Sequence, residues 1–278
     1  MLRRMGHKDQ RILELLIAEI HGKYVPEARN FEDYLTSAVF GHLRYIKQSA
    51  FWDTLFDLAK SQPTALGVMT ASEQIRRAIG CSLSSFAALD IAFWPEHEQG
   101  IPDLVLHFSG NHLRSLVILI EAKLTATKTG KEDRDQLARY LRILDSLGSL
   151  RPPMPCDALG LAVYLTATDS RAEIVDSLAQ YGDTEQARLR LFHLQWQDLI
   201  HAVDRTRPSS EMDALIMDDV RTFLRKRNLE YFAGMEDAAT IPLVLEEDGD
   251  FLRNEPLFDL DSIPTGLDVI DEGWMYAN

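Results

Sequence analysis

Residues 101 to 123, IPDLVLHFSGNHLRSLVILIEAK, constrain this fold more than any other stretch. Two stiff apolar runs, 102–108 and 115–123, flank the polar turn signal SGNHLR, and that pattern predicts a β-hairpin. With the turn centred on His112, residues i and 224 − i face each other. Asp103 then lies opposite Glu121, with Cβ atoms roughly 5 Å apart. Lys123, two residues further on, projects from the same face as Glu121. Strands this apolar normally exclude charge, yet three charged groups gather at one edge of this hairpin.

The flanking segments set the fold class. FEDYLTSAVFGHLRYI (31–46) carries a helical stripe of Phe31, Leu35, Val39, Leu43 and Ile46. Asn30 is its N-cap, and Glu32 and Asp33 lie in the first turn, where the helix dipole favours anions. Helices are also predicted over 51–60 and 72–80, the second closing on Gly80, and AALDIAFW (87–94) reads as a strand. After the hairpin come a strongly helical segment (131–147), a continuously apolar strand (159–167), a helix (171–181), the strand RLRLFHLQW, a helix from Asp198 and a last helix over 210–228. This order predicts an α/β fold, a mixed central sheet flanked by helices, with an N-terminal helical part over 1–80. The folded domain is expected to span 1–235, with an acidic C-terminal tail over 236–278.

Charge distribution matters here more than its sum. The formal net charge is −14, but residues 236–278 hold twelve acidic residues against one arginine, a net of −11. The body is therefore nearly neutral, and the total does not exclude a nucleic-acid partner. The first residues, MLRRMGHKDQRILELLIAEIHGK, resemble a signal peptide only superficially: Glu14 and Glu19 interrupt the apolar positions, whose spacing is that of an amphipathic helix. No apolar run approaches the roughly 20 residues a membrane span needs. Cys81 and Cys156 lack metal-type spacing and read as two reduced, buried thiols. The expectation is a cytoplasmic protein with no membrane segment.

Two carboxylates facing each other across a half-buried strand pair repel, and a divalent cation is the usual remedy. Hard oxygen donors suit Mg²⁺ or Mn²⁺, which borrow further ligands from water and phosphate. Beside them Lys123 could orient or help deprotonate a water, or stabilise charge developing on a phosphate. An ordinary cross-strand ion-pair cluster is the alternative. His107 and His112 match no zinc pattern, and Thr125 and Glu132 stand where a phosphate-binding loop around Gly130-Lys131 needs glycine and Ser/Thr.

Pro102-Asp103, a gap of seventeen residues, then Glu121-Ala122-Lys123, resembles the PD-(D/E)XK nuclease superfamily. The likeness extends to Glu32 on a preceding helix and to a Gln-x-x-x-Tyr pair, Gln136 and Tyr140, on the following one. It covers roughly residues 30 to 200, and the upstream acidic helix with Gln-x-x-x-Tyr is similar to nucleases of prokaryotic anti-phage defence systems. The resemblance implies a restriction-endonuclease-like core and an Mg²⁺-dependent nuclease (Mn²⁺ serving as well), acting on DNA as an endonuclease. In that reading Asp103, Glu121 and the Ala122 carbonyl hold the metal, Lys123 supports the attacking water, and Glu32 assists a second metal or water. Gln136 and Tyr140 would line the substrate cleft. Lys128, Lys131 and Arg139 form a basic patch that is either a solvated helix face or a phosphate-backbone contact. The acidic tail is a solvated end, a docking segment for a partner protein or second copy, or a cover over the basic cleft. A non-catalytic nuclease-fold scaffold that binds a partner through this tail is the competing expectation.

Overall fold

The computed structural model describes residues 32–46, 49–110, 113–124 and 135–231. In chain order, helices α1 (Glu32–Leu43) and α2 (Ser49–Leu58) lead to strand β1 (Lys60–Ser61) and helix α3 (Ala71–Ile79). Strands β2 (Ala88–Phe93), β3 (Leu104–Ser109) and β4 (Leu116–Lys123) precede helix α4 (Gln136–Leu144) and strand β5 (Leu159–Thr166). Helices α5 (Arg171–Tyr181) and α6 (Glu185–Arg188), strand β6 (Leu191–Gln195), and helices α7 (Trp196–Arg205) and α8 (Glu211–Arg225) complete the described part.

The six strands form one mixed sheet in the order β1-β6-β5-β4-β3-β2. β4 pairs parallel with β5 and antiparallel with β3, and β5 pairs parallel with β6. The hairpin register runs from Leu104↔Ile120 to Phe108↔Leu116, the register expected from a turn centred on His112. β4 has neighbours on both sides and helices over both faces, so all eight of its residues are buried. That is why LVILI alternates with nothing.

Strand pleating sorts β4 into two rows. Ile118, Ile120 and Ala122 join an apolar layer that includes residues of α1, α2, α7 and α8. Val117 and Leu119 join the opposite layer with Leu137, Tyr140, Leu141 and Leu144 of α4 and Ile174 and Leu178 of α5. Glu121 and Lys123 continue this second row, which directs them to the side on which α4 packs. α4 is held there from both ends of the argument. Asp135 caps it by accepting from the Ala138 amide at 3.0 Å, and its Leu and Ile side chains each contribute roughly 1.5–3 kcal/mol on burial.

The structure shifts some expectations. The helix predicted over 51–60 ends at Leu58, and Lys60–Ser61 instead forms an edge strand on β6 through Lys60↔His193 and Ser61↔Phe192. A two-residue strand carries no periodicity by which to find it. Of the helix predicted over 131–147, residues 131–134 lie outside the described residues, and the described helix, Gln136–Leu144, ends three residues short of 147. Cys81 is half-buried and Cys156 exposed, so neither is the buried thiol expected. The helix expected near the N-terminus, the turn residue His112 and the tail 236–278 lie outside the described residues. No described helix is long and apolar enough to cross a membrane.

Candidate active site

The carboxyl end of β4 presents two charges to the α4 side. Glu121 is 1% exposed and Lys123 7% exposed, and their Oε1 and Nζ atoms lie 2.6 Å apart. Glu32, the first residue of α1, reaches the same lysine at 2.7 Å through Oε1. Its other oxygen accepts from the Leu124 amide at 3.0 Å, so α1 is tied to the chain just past β4. Burial works against the Lys123 ammonium, but Glu121 and then Glu32 outweigh it and hold the lysine above its usual pKa. Trp196 at the start of α7 donates its indole N–H to the Lys123 carbonyl at 3.1 Å, which fixes the backbone from which the ammonium projects.

Asp103 closes the cluster from β3. Its Oδ2 accepts from the Ala122 amide at 2.8 Å, across the hairpin, while Oδ1 meets no donor among the described residues. Burial, and next the Glu121 charge, push its pKa up to about 8. The Asp103 carbonyl accepts from the Trp94 amide at 3.0 Å, and Trp94 itself has φ 48°. A non-glycine residue in the left-handed region costs of order 1–3 kcal/mol and persists only where its surroundings impose it. The chain thus stores backbone strain directly beside this carboxylate.

α4 clamps Glu121 from above. The Tyr140 hydroxyl donates to Glu121 Oε2, and Gln136 Nε2 donates to Oε1 at 2.5 Å and to the Tyr140 oxygen at 3.2 Å. All the partners of Glu121 are donors, which demands an acceptor-only carboxylate. Burial pushes its pKa up, and Lys123 and then Tyr140 act against that. Tyr140, only 1% exposed, also lies 3.1 Å from the Ile101 carbonyl, and burial and the Glu121 charge raise its own pKa. Expected to line a substrate cleft and help position substrate or the lysine, Tyr140 is buried with its hydroxyl on the Glu121 carboxylate. The signal was legible: Tyr140 lies on the same apolar stripe as Leu137, Leu141 and Leu144.

The structure therefore brings together Glu32, Asp103, Glu121, Ala122, Lys123, Gln136 and Tyr140. Among the described residues three carboxyl groups face one ammonium, so ionisation of all three, Asp103 included, leaves a surplus of two negative charges in a largely buried place. Among the described residues no three His, Cys, Asp or Glu side chains form a ready-made metal cage. The donor set nonetheless fits Mg²⁺, which is commonly held by one or two carboxylates and completes its shell with water and phosphate oxygens. Asp103 offers an uncommitted oxygen, and the charge surplus equals that of one divalent ion. Comparison with protein-family models, with curated proteins and with solved structures finds no match to this chain. The reading therefore rests on the geometry itself.

Of the expected basic patch, Lys128 and Lys131 lie outside the described residues. Arg139 is one step removed from the cluster, its Nη1 3.5 Å from where a Cβ on Gly100 would stand. A second polar cluster lies on the neighbouring strands, where β4, β5 and β6 align Glu121↔Tyr164↔His193 and Lys123↔Thr166↔Gln195. There the His193 Nε2 lies 2.8 Å from the Thr166 hydroxyl, which in turn donates to the Thr168 carbonyl at 2.5 Å. Nothing in the sequence singled out this pair.

Proposed function

We propose that this chain is an Mg²⁺-dependent nuclease of the PD-(D/E)XK kind that hydrolyses phosphodiester bonds, with DNA as its substrate. The observation that carries the reading is the gathering of three carboxyl groups around one ammonium among the described residues at the carboxyl end of β4, with one Asp103 oxygen left open. A purely structural ion-pair cluster would be balanced, because an uncompensated buried charge costs several kcal/mol. The position agrees with the general rule that open α/β sheets bind ligands beyond the carboxyl ends of their parallel strands.

Asp103, Glu121 and the Ala122 carbonyl would hold the ion, which when bound supplies Lewis-acid activation of water and neutralises phosphate charge. The residues do the rest. Gln136 and Tyr140 keep Glu121 an acceptor and fix its orientation. Lys123, held charged between Glu121 and Glu32, is a proton donor at Nζ and not a base. Its work is to orient the attacking water and to stabilise charge on the phosphate oxygens as the new P–O bond forms and the bond to one flanking sugar oxygen breaks. Glu32 acts through Lys123 and is a positioning residue.

Incubation with plasmid, linear DNA and RNA in Mg²⁺ or Mn²⁺ tests the reading. Cleavage of DNA by the native chain, lost in Asp103→Asn and lowered by at least about a hundredfold in Lys123→Ala, is expected. Cleavage that survives both substitutions would remove the site assignment, and no cleavage of any of these substrates would remove the reading.

A further inference from the structure

Beside the cluster, an open cleft of about 810 Å³ runs between the 96–101 turn and the 148–153 loop. Its walls are apolar at Ile101, Leu150 and Pro153, and its rim carries Glu96, Glu98 and Arg151. The volume falls within the range of small-ligand sites and is far too small for a duplex. The cleft is preformed. Glu96 and Arg151 exchange backbone hydrogen bonds of 3.3 and 2.9 Å, and His97 and Gly100 close their turn with two more. Underneath, His97 accepts from the Gln99 amide at 3.0 Å through Nδ1, so its Nε2 carries the proton and donates to Ser146 at 3.1 Å.

Two features tie this cleft to the acidic cluster. Ile101, which lines it, is 52% exposed although apolar, and its carbonyl receives the Tyr140 hydroxyl that also holds Glu121. Arg139 packs over Gly100, whose φ of 150° and close contact with the guanidinium call for glycine. Its Nε is buried with no hydrogen-bond partner, and the side chain forms no ion pair with any described residue. The guanidinium charge is thus unbalanced among the described residues, and a phosphate oxygen at its terminal nitrogens would compensate it. The rim carboxylates of Glu96 and Glu98 are likewise exposed and unpaired among the described residues.

We infer that this cleft is a nucleotide subsite: it takes one unstacked base of a single-stranded segment next to the phosphate at Asp103 and Glu121, while Arg139 contacts the intervening backbone phosphate. The inference rests on the nuclease reading and names the substrate feature that reading leaves open, a strand end or a locally unpaired strand. The apolar walls accept a base face, and the rim carboxylates accept from base amino groups, which cytosine has and thymine lacks.

Binding in EDTA, read by fluorescence anisotropy of labelled oligonucleotides with the full chain, separates the two ideas without relying on cleavage. Oligo(dC) should bind more tightly than oligo(dT), and more tightly than an abasic strand of equal length by at least about five-fold. Ser149→Trp, which fills the cleft from an exposed position, should weaken oligo(dC) to the level of the abasic strand. Arg139→Ala should weaken both strands alike. Equal binding of oligo(dC) and the abasic strand, or unchanged binding by Ser149→Trp, overturns the subsite even if Mg²⁺-dependent cleavage is intact. Neither binding nor cleavage of any strand overturns the nuclease reading together with it.

Discussion

Two polar clusters lie side by side on one face of the sheet, at the aligned ends of β4, β5 and β6, and both are buried. Around His193 and Thr166 the hydrogen bonds join neutral groups, and although Asp169 and Asp198 favour the charged imidazole, burial pushes the His193 pKa below its ordinary value, which keeps the ring neutral at pH 7. Around Glu121 three carboxylates share one ammonium. Burial is therefore common to both and diagnostic of neither. What separates them is unbalanced charge, which a fold retains at the cost of stability. The first cluster joins strand to loop; the second is the one the proposed nuclease function would use for a cation and a phosphate.

Removing the single cation is the strongest way to test this contrast. Lys123→Met leaves Glu121, Glu32 and Asp103 without a counter-charge, and urea unfolding of the metal-free chain near pH 8 should show a loss of about 3–5 kcal/mol. A loss no larger than that of a neutral hydrogen bond would erase the distinction between the clusters.

Next in size is the pH response. The Asp103 pKa of about 8 in the folded chain stands above its ordinary value of 3.8. The folded state thus keeps a proton that the unfolded state has released, and stability falls as pH rises from about 4 to about 8. The urea midpoint of the native chain should decline across that window relative to Asp103→Asn. Mg²⁺ should raise the native midpoint more at pH 8 than at pH 5, and should raise that of Asp103→Asn little. A midpoint difference that stays flat with pH would mean that Asp103 carries no excess charge.

The smallest effect is expected in the balanced cluster. Thr166→Val removes the 2.8 Å bond to His193 Nε2 and the 2.5 Å bond to the Thr168 carbonyl, leaving both only the 3.4 Å bonds from Ser170, at a cost of about 1 kcal/mol in the same unfolding measurement. Because the folded His193 resists protonation, stability here declines as pH drops below the ordinary histidine value of 6.5, the opposite direction to Asp103. NMR titration of the imidazole should give a midpoint below 6.5; an ordinary or raised midpoint would place His193 among charged groups and blur the comparison.

Much of the site was legible in the chain. The two apolar runs and the polar turn centred on His112 specify the hairpin register, and with it the meeting of Asp103, Glu121 and Lys123. An acid in the first turn of α1 marks Glu32, although the sequence could not say that it would hold the lysine. Helix packing over a sheet depends on the angle and height of the whole element, so the descent of Gln136 and Tyr140 onto Glu121 had no local signature beyond the apolar stripe. The cleft was invisible for a related reason. Its two walls are loops some fifty residues apart in sequence, joined by a Glu96–Arg151 bridge that neither segment announces alone. A mixed sheet with helices on both faces followed from element order, whereas its sixth strand, the two-residue edge at Lys60–Ser61, did not.

β4 is paired with β5 in parallel over the length of LVILIEAK, and with β3 antiparallel over Leu116–Ile120. This makes the gene segment encoding it rigid in a particular way. Related chains can trade one apolar residue for another along Leu116–Ile120, and can lengthen or shorten the turn before it, without moving the charges. One codon gained or lost inside the strand turns Glu121 and Lys123 into the apolar layer of Ile118 and Ile120 and delivers hydrophobic side chains to the site instead. Diversity in this region should accumulate as substitutions and turn-length changes, with the distance from Leu116 to Lys123 held constant.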